Sequence, residues 1–149
     1  MKVSVLISTL CVVGTVLYAS SAHAQFLYVS DYSSNILHRF DATTGVLVSP
    51  DPFIVGSGGE GLACTGSGRS KILLSADIYR GQISKFDFNS GAYLGQYSSV
   101  GGGLNLLFSA DKQSLYYTSF GGGLTKYDYA TATVTATASI NSAPGEWIF

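Results

Sequence analysis

The feature that most constrains this chain is a block of residues it uses three times. Ile72–Leu94, ILLSADIYRGQISKFDFNSGAYL, falls without a gap on Phe26–Val48, FLYVSDYSSNILHRFDATTGVLV, at an offset of 46 residues. Shifted by 41 or 42, with one loop residue deleted, it meets Ser114–Val134, SLYYTSFGGGLTKYDYATATV. Ser57–Leu73 also aligns with Ser99–Leu115 at a constant offset of 42. A period of this size marks a stack of like units, each too small to bury its own apolar surface.

Three strands can be read inside each unit, in residues that suit a pleated, half-buried surface. Strand b is Phe26–Val29, Ile72–Ser75 and Leu115–Thr118. Strand c is Ile36–Phe40, Gln82–Phe86 and Gly123–Tyr127, and strand d is Val46–Val48, Ala92–Tyr97 and Thr133–Ile140. The second and third units add a strand a before b, at Gly61–Cys64 and Gly103–Phe108. Four short antiparallel strands per unit, with no amphipathic helical stripe, predict an all-β chain built of β-propeller blades. The blades are expected at about residues 26–50, 58–97 and 100–140, with the start of a next one at 145–149.

The turns agree. Asp41–Gly45 and Asp87–Gly91 join c to d, each with an aspartate to accept backbone amides and a glycine suited to a left-handed residue. The third copy, Asp128–Ala132, has alanine in place of the glycine, so this turn is expected to be strained or differently built. The three acids read as turn caps rather than as a catalytic or metal ring. Arg39, Lys85 and Lys126 also recur, two residues before each acid and on the same strand face. They are read as local ion pairs, worth little at a surface.

The strings LYVSDYSSNILHRFDATTG and SLYYTSFGGGLTKYDYATATVTATASI resemble the repeats of secreted YVTN and NHL-type β-propeller proteins. GEGLACTGSGRSKILLSADIYRGQISKFDFNSG is also similar to the opening blade of calcium-dependent gluconolactonase-like propellers. That second resemblance implies a calcium-binding glutamate, matched by Glu60. The proline expected after Glu-Gly is Leu62, and the family's other ligands come from blades this chain lacks. The first resemblance implies propeller blades, and with no catalytic set in the sequence the expected role is a binding or structural module, with no cofactor.

The ends are read separately. Lys2, the apolar run Val3–Tyr18 and the small residues Ser20–Ala24 have the form of a secretory signal peptide cut after Ala24. The run is shorter than the ~20 residues an uncleaved span needs. Residues 25–149 then form the exported chain, secreted or periplasmic, with a formal charge near neutrality that suggests neither nucleic acid nor an anionic membrane as partner. Cys64 is its one cysteine and reads as a small buried hydrophobe in an apolar strand.

A propeller closes with about four blades or more, and three leave apolar faces in water. The strand order, beginning at b and ending with Trp147–Phe149 where the next strand a is due, fits two accounts. Either the chain is the front of a longer propeller, or two chains associate head to tail, each Trp147–Phe149 completing the partner's first blade.

Loops on a rigid scaffold are where ligands bind. The equivalent b–c loops carry Asp31 and Tyr32, Asp77 and Tyr79, and Phe120, an acid-plus-aromatic pattern suited to a glycan or a protein side chain. The same residues are also plain turn-formers. No catalytic residue is assigned: His38 is the only histidine after Ala24, and no G-x-S-x-G elbow is present. The glycine-rich stretches lack the lysine-serine pair of a phosphate loop. The alternative function is a fragment or dimeric form of a calcium-dependent lactonase-like hydrolase, with Glu60 as metal ligand.

Overall fold

The computed structural model describes residues 16–18, 26–31, 33–56, 61–77, 80–101, 103–119 and 122–139. They form three four-stranded antiparallel sheets. The first contains β1 (Val16–Tyr18), β2 (Phe26–Asp31), β3 (Ile36–Asp41) and β4 (Ile54–Val55). The second contains β5 (Gly61–Thr65), β6 (Ile72–Asp77), β7 (Gln82–Asp87) and β8 (Tyr93–Ser99). The third contains β9 (Gly103–Phe108), β10 (Ser114–Ser119), β11 (Gly123–Asp128) and β12 (Thr133–Ser139). Each repeat unit is thus one meander, with strands in chain order across the sheet.

Period-two alternation decides how the sheets stack. On β6, Leu73 joins a core with Tyr28, Leu37, Phe53 and Ile54 of the first sheet, while Leu74 and Ala76 join one with Leu106, Phe108, Leu115 and Tyr127 of the third. Leu62 and Ala63 on β5, and Phe86 and Ile83 on β7, divide in the same way. The middle sheet is therefore buried on both faces. Each fully buried Leu or Phe contributes about 1.5–3 kcal/mol relative to exposure, so the sheets hold one another in place.

The first strands β1, β5 and β9 lie side by side along one edge of this stack. Gly61 on β5 permits the approach: a side-chain carbon there would lie 2.7 Å from Asn105 Cα on β9. Backbone cannot yield as a flexible side chain can.

The c–d turns are built as the repeat implies. Asp41 Oδ1 accepts the amides of Thr43 and Thr44 at 2.9 and 2.8 Å, Asp87 Oδ1 those of Asn89 and Ser90 at 3.0 and 2.7 Å, and Asp128 Oδ1 that of Thr131 at 2.9 Å. Gly45 and Gly91 have φ of +70° and +73°, and Ala132 adopts +55°. The third turn has the same left-handed geometry, with the strain carried by alanine.

Two features depart from the sequence reading. The last strand of the first sheet is split: Leu47 bridges Phe40, Ser49–Pro52 loop away, and pairing with β3 resumes at Phe53 and β4. Prolines cannot donate to a ladder, so the strand breaks there and the observed β4 lies beyond the expected Val46–Val48. Second, no strand a is expected in the first unit, yet Val16–Tyr18 pairs with β2 in that position. The remaining residues of the expected signal peptide, and the segment 145–149 with Trp147–Phe149, lie outside the described residues.

Two substitutions at backbone-controlled positions are expected to act in opposite directions. Ala132→Gly relieves the left-handed alanine and raises stability by about 0.5–1 kcal/mol in chemical denaturation. Gly61→Ala forces β5 from β9 and lowers stability by about 1–3 kcal/mol in the same assay.

Candidate functional site

The b–c loops sit at one end of the sheets, and the structure separates the three copies. In the first, the Asp31 carboxylate folds back on its own loop. Its Oδ1 accepts Ser33 N at 2.9 Å, Ser33 Oγ at 2.7 Å and Ser34 N at 3.2 Å, and its Oδ2 accepts the Ser34 hydroxyl. The Ser34 and Ser33 hydroxyls, followed by the Ser34 amide, bring its pKa down from 3.8 to about 2. Asp31 stays ionised, with its lone pairs largely occupied by the turn.

The second loop differs. The Asp77 side chain is fully buried, its Oδ1 accepting Arg80 N at 3.0 Å. Its Oδ2 has no hydrogen bond and lies 3.5 Å from Arg80 Nη1. Arg80 is half-exposed, and its guanidinium reaches across to the first sheet, where a carbon added to Gly56 would come within 3.1 Å of Nη2. A buried carboxylate with an oxygen left unbonded is costly. Here it holds an exposed cation over the seam between the first two sheets.

In the third loop Ser119 stands where Asp31 and Asp77 stand in the others. Its Oγ accepts Gly123 N at 3.2 Å, so the loop is capped without an acid. Tyr32, Tyr79 and Phe120, the aromatic members of the proposed binding set, lie outside the described residues, as does Glu60. The structure brings forward Arg80, Ser33 and Ser34, which the sequence reading left unassigned. Arg80 had no signal, because its unit is the only one with arginine at that loop position.

Other polar groups serve the stack. His38 Nδ1 lies 2.6 Å from Asp51 Oδ1, in the loop that splits the last strand of the first sheet. The nearly buried Arg39 does not pair locally with Asp41 as expected. Its guanidinium lies between the rings of Phe26 and Phe53, 4.6 and 4.1 Å from their centroids. It donates to the carbonyls of Asn89 and Ser49 at 2.7 and 3.2 Å. Asp41 is already occupied by its turn, whereas the Asn89 carbonyl of the next sheet faces a desolvated cation that needs an acceptor. Tyr28 Oη donates to the Phe88 carbonyl at 2.5 Å, and burial raises its pKa to about 12 against the opposing pull of Arg39. Cys64 packs half-buried against the core between the first two sheets, and burial raises its thiol pKa.

No protein-family model matches the chain, and no curated protein matches it either. Solved structures do. Hydrazine synthase of Kuenenia stuttgartiensis superposes with a TM-score of 0.63 at 16% identity over 79% of this chain and 33% of its own. U3-55K gives 0.59 at 13% identity, over 86% of this chain and 43% of its own. The dihydro-heme d1 dehydrogenase NirN, in complex with DHE, gives 0.56 at 16% identity, over 82% and 27%. These neighbours are β-propellers. The chain has the β-propeller fold. Each sheet is a blade, and the chain spans less than half the length of the propellers it matches. Among the described residues, no three His, Cys, Asp or Glu side chains converge to hold a metal ion.

The turn acids impose a pH dependence. Asp41, Asp87, Asp111 and Asp128 are held below their ordinary 3.8 like Asp31, by hydrogen bonds from Thr44, Ser90, Ser109 and Thr131 respectively. A depressed folded pKa adds stability that is present above about pH 4 and lost as the pH falls through the folded value. The melting temperature should hold to about pH 4 and drop between about pH 4 and pH 2. Asp31→Asn should make that drop shallower.

Proposed function

We propose that this chain is an exported propeller-class binding module, of the YVTN and NHL kind, recognising a glycan or protein ligand at the b–c loops. The observation that carries the reading is the exposed Arg80 guanidinium held over the seam of the first two blades by a buried carboxylate. A ligand carboxylate or hydroxyl is the natural complement of such a cation, because a guanidinium presents several donors in a fixed plane. Ser33 and Ser34 add hydroxyls on the neighbouring loop, and Asp77 acts as a positioning residue beneath the contact. The sequence pattern adds Tyr32, Tyr79 and Phe120, whose rings would supply the apolar contact that sugars and side chains need. Display of loops on a rigid scaffold is a common way for folds to bind.

Glycan and peptide arrays probed with the purified protein test this reading. Arg80→Ala is expected to weaken a captured ligand at least about tenfold, the worth of one charge-assisted contact, and to lower the melting temperature while keeping the circular dichroism spectrum, because the buried Asp77 carboxylate loses its counter-charge. Binding that survives this substitution would move the site elsewhere. Export is checked by N-terminal sequencing of the protein recovered outside the cytoplasm, which is expected to begin at Gln25.

A further inference from the structure

We propose a second ligand site, at the seam between the second and third blades, that takes a small monocarboxylate with a compact apolar body. It lies beside the c–d turns, at the end of the blades opposite the b–c loops, and is independent of the binding reading given above. Two seams that the repeat makes equivalent differ here in one respect: the first is filled and the second is open.

At the first seam the Arg39 guanidinium occupies the space next to the turn, between the rings of Phe26 and Phe53, and donates to the Asn89 carbonyl at 2.7 Å. Its cross-strand partner Tyr28 donates to the Phe88 carbonyl at 2.5 Å. At the second seam Lys85 stands for Arg39, Leu74 for Tyr28 and Ile72 for Phe26, and Lys85 and Leu74 are again cross-strand partners. Leu74 has no hydroxyl to give. Tyr97 of β8 supplies one instead, donating to the Asp128 and Tyr129 carbonyls at 3.2 and 3.1 Å, with its ring stacked on that of Tyr129 at 5.5 Å. Nothing replaces the guanidinium, because an ammonium on a straight stem cannot fill the plane that a fork fills. A crevice of about 250 Å³ remains, lined by Ile72, Lys85, Tyr97, Tyr129 and the turn residues 130–132.

The polar groups around this crevice decide what it can hold. The Tyr97 hydroxyl is committed to its two carbonyls, and Thr131 Oγ1 donates to Asp128 Oδ1 at 2.8 Å. The half-buried Lys85 is not committed. Asp87, its expected partner, is occupied by its own turn, and among the described residues no acid or carbonyl pairs with the Lys85 ammonium. The crevice therefore offers a ligand the donors of one cation, in a site where partial desolvation strengthens its pull on an anion. A carboxylate is the matching group. Ile72, Ala132 and the Tyr97 ring receive the apolar body behind it. The volume is below that of pockets holding drug-sized molecules, which selects a small ligand.

Titration of the purified full chain with phenylacetate, followed by amide NMR, tests the site. Saturable shifts are expected at Tyr97, Tyr129 and Thr131. Benzyl alcohol, a similar body without the charge, is expected to bind at least about tenfold more weakly. Lys85→Met is expected to weaken phenylacetate by a similar factor and to leave benzyl alcohol unchanged. Lys85→Arg copies the first seam: its guanidinium is expected to fill the crevice against the Ala130 carbonyl, raise the melting temperature, and weaken phenylacetate at least about tenfold although the charge is kept. No saturation below about 10 mM, shifts confined to the b–c loops, equal affinity for the two probes, or undiminished binding by Lys85→Arg would each overturn the proposal. The comparison of the two probes uses the unaltered chain, so it stays decisive if a variant fails to fold.

Discussion

A sheet that is apolar on both faces must have a neighbour on each side, and this constraint organises the molecule. In the second blade it is met in full: Leu62, Leu73 and Phe86 face one neighbour, and Ala63, Leu74 and Ile83 face the other. Dispersion and water exclusion act without direction, so these contacts supply cohesion but little orientation. Orientation comes from the polar contacts at the seams. Tyr28 and Arg39 can reach their carbonyl partners in only one relative placement of the blades, because hydrogen bonds fail beyond a narrow range of distance and angle.

Most charged and polar residues that attract notice in this sequence serve that architecture. The aspartates of the c–d turns satisfy amides that a tight hairpin would otherwise leave bare. Arg39 has become a seam residue, its charge shared between two carbonyls and two aromatic faces. Arg80 is different. It is exposed, reaches across a seam, and rests on a carboxylate that is buried at some cost. Structural economy alone does not call for such a pair, which is why the binding reading centres on it.

The fold was legible in the sequence to an unusual depth. Strand order and turn positions follow from a repeat that can be read by eye. The site was legible only in part. Asp31 and Asp77 were visible as equivalent loop acids, but their difference in role was not. Asp31 sits beside two serines and spends its oxygens on them, whereas Asp77 is followed by Ile78 and Tyr79 and turns inward to Arg80. The pairing of His38 with Asp51 was equally hidden, because Asp51 belongs to a proline-bracketed loop that has no counterpart in the other units. Ser49–Pro52 also displaced a strand that the period alone puts earlier.

The sequence by itself determined the meander of each blade, the polarity of its strand faces and the chemistry of its turns. Those features rest on interactions between residues two to about twenty apart, where alternation, Asx-type turns and hairpin pairing operate. Only the tertiary structure decided which blade face meets which turn, that Arg39 crosses a seam instead of pairing beside itself, and that Arg80 stands over the same seam. Those outcomes join groups far apart in the chain, as between Tyr28 and Phe88. They are set by where desolvated donors find acceptors once whole sheets have packed.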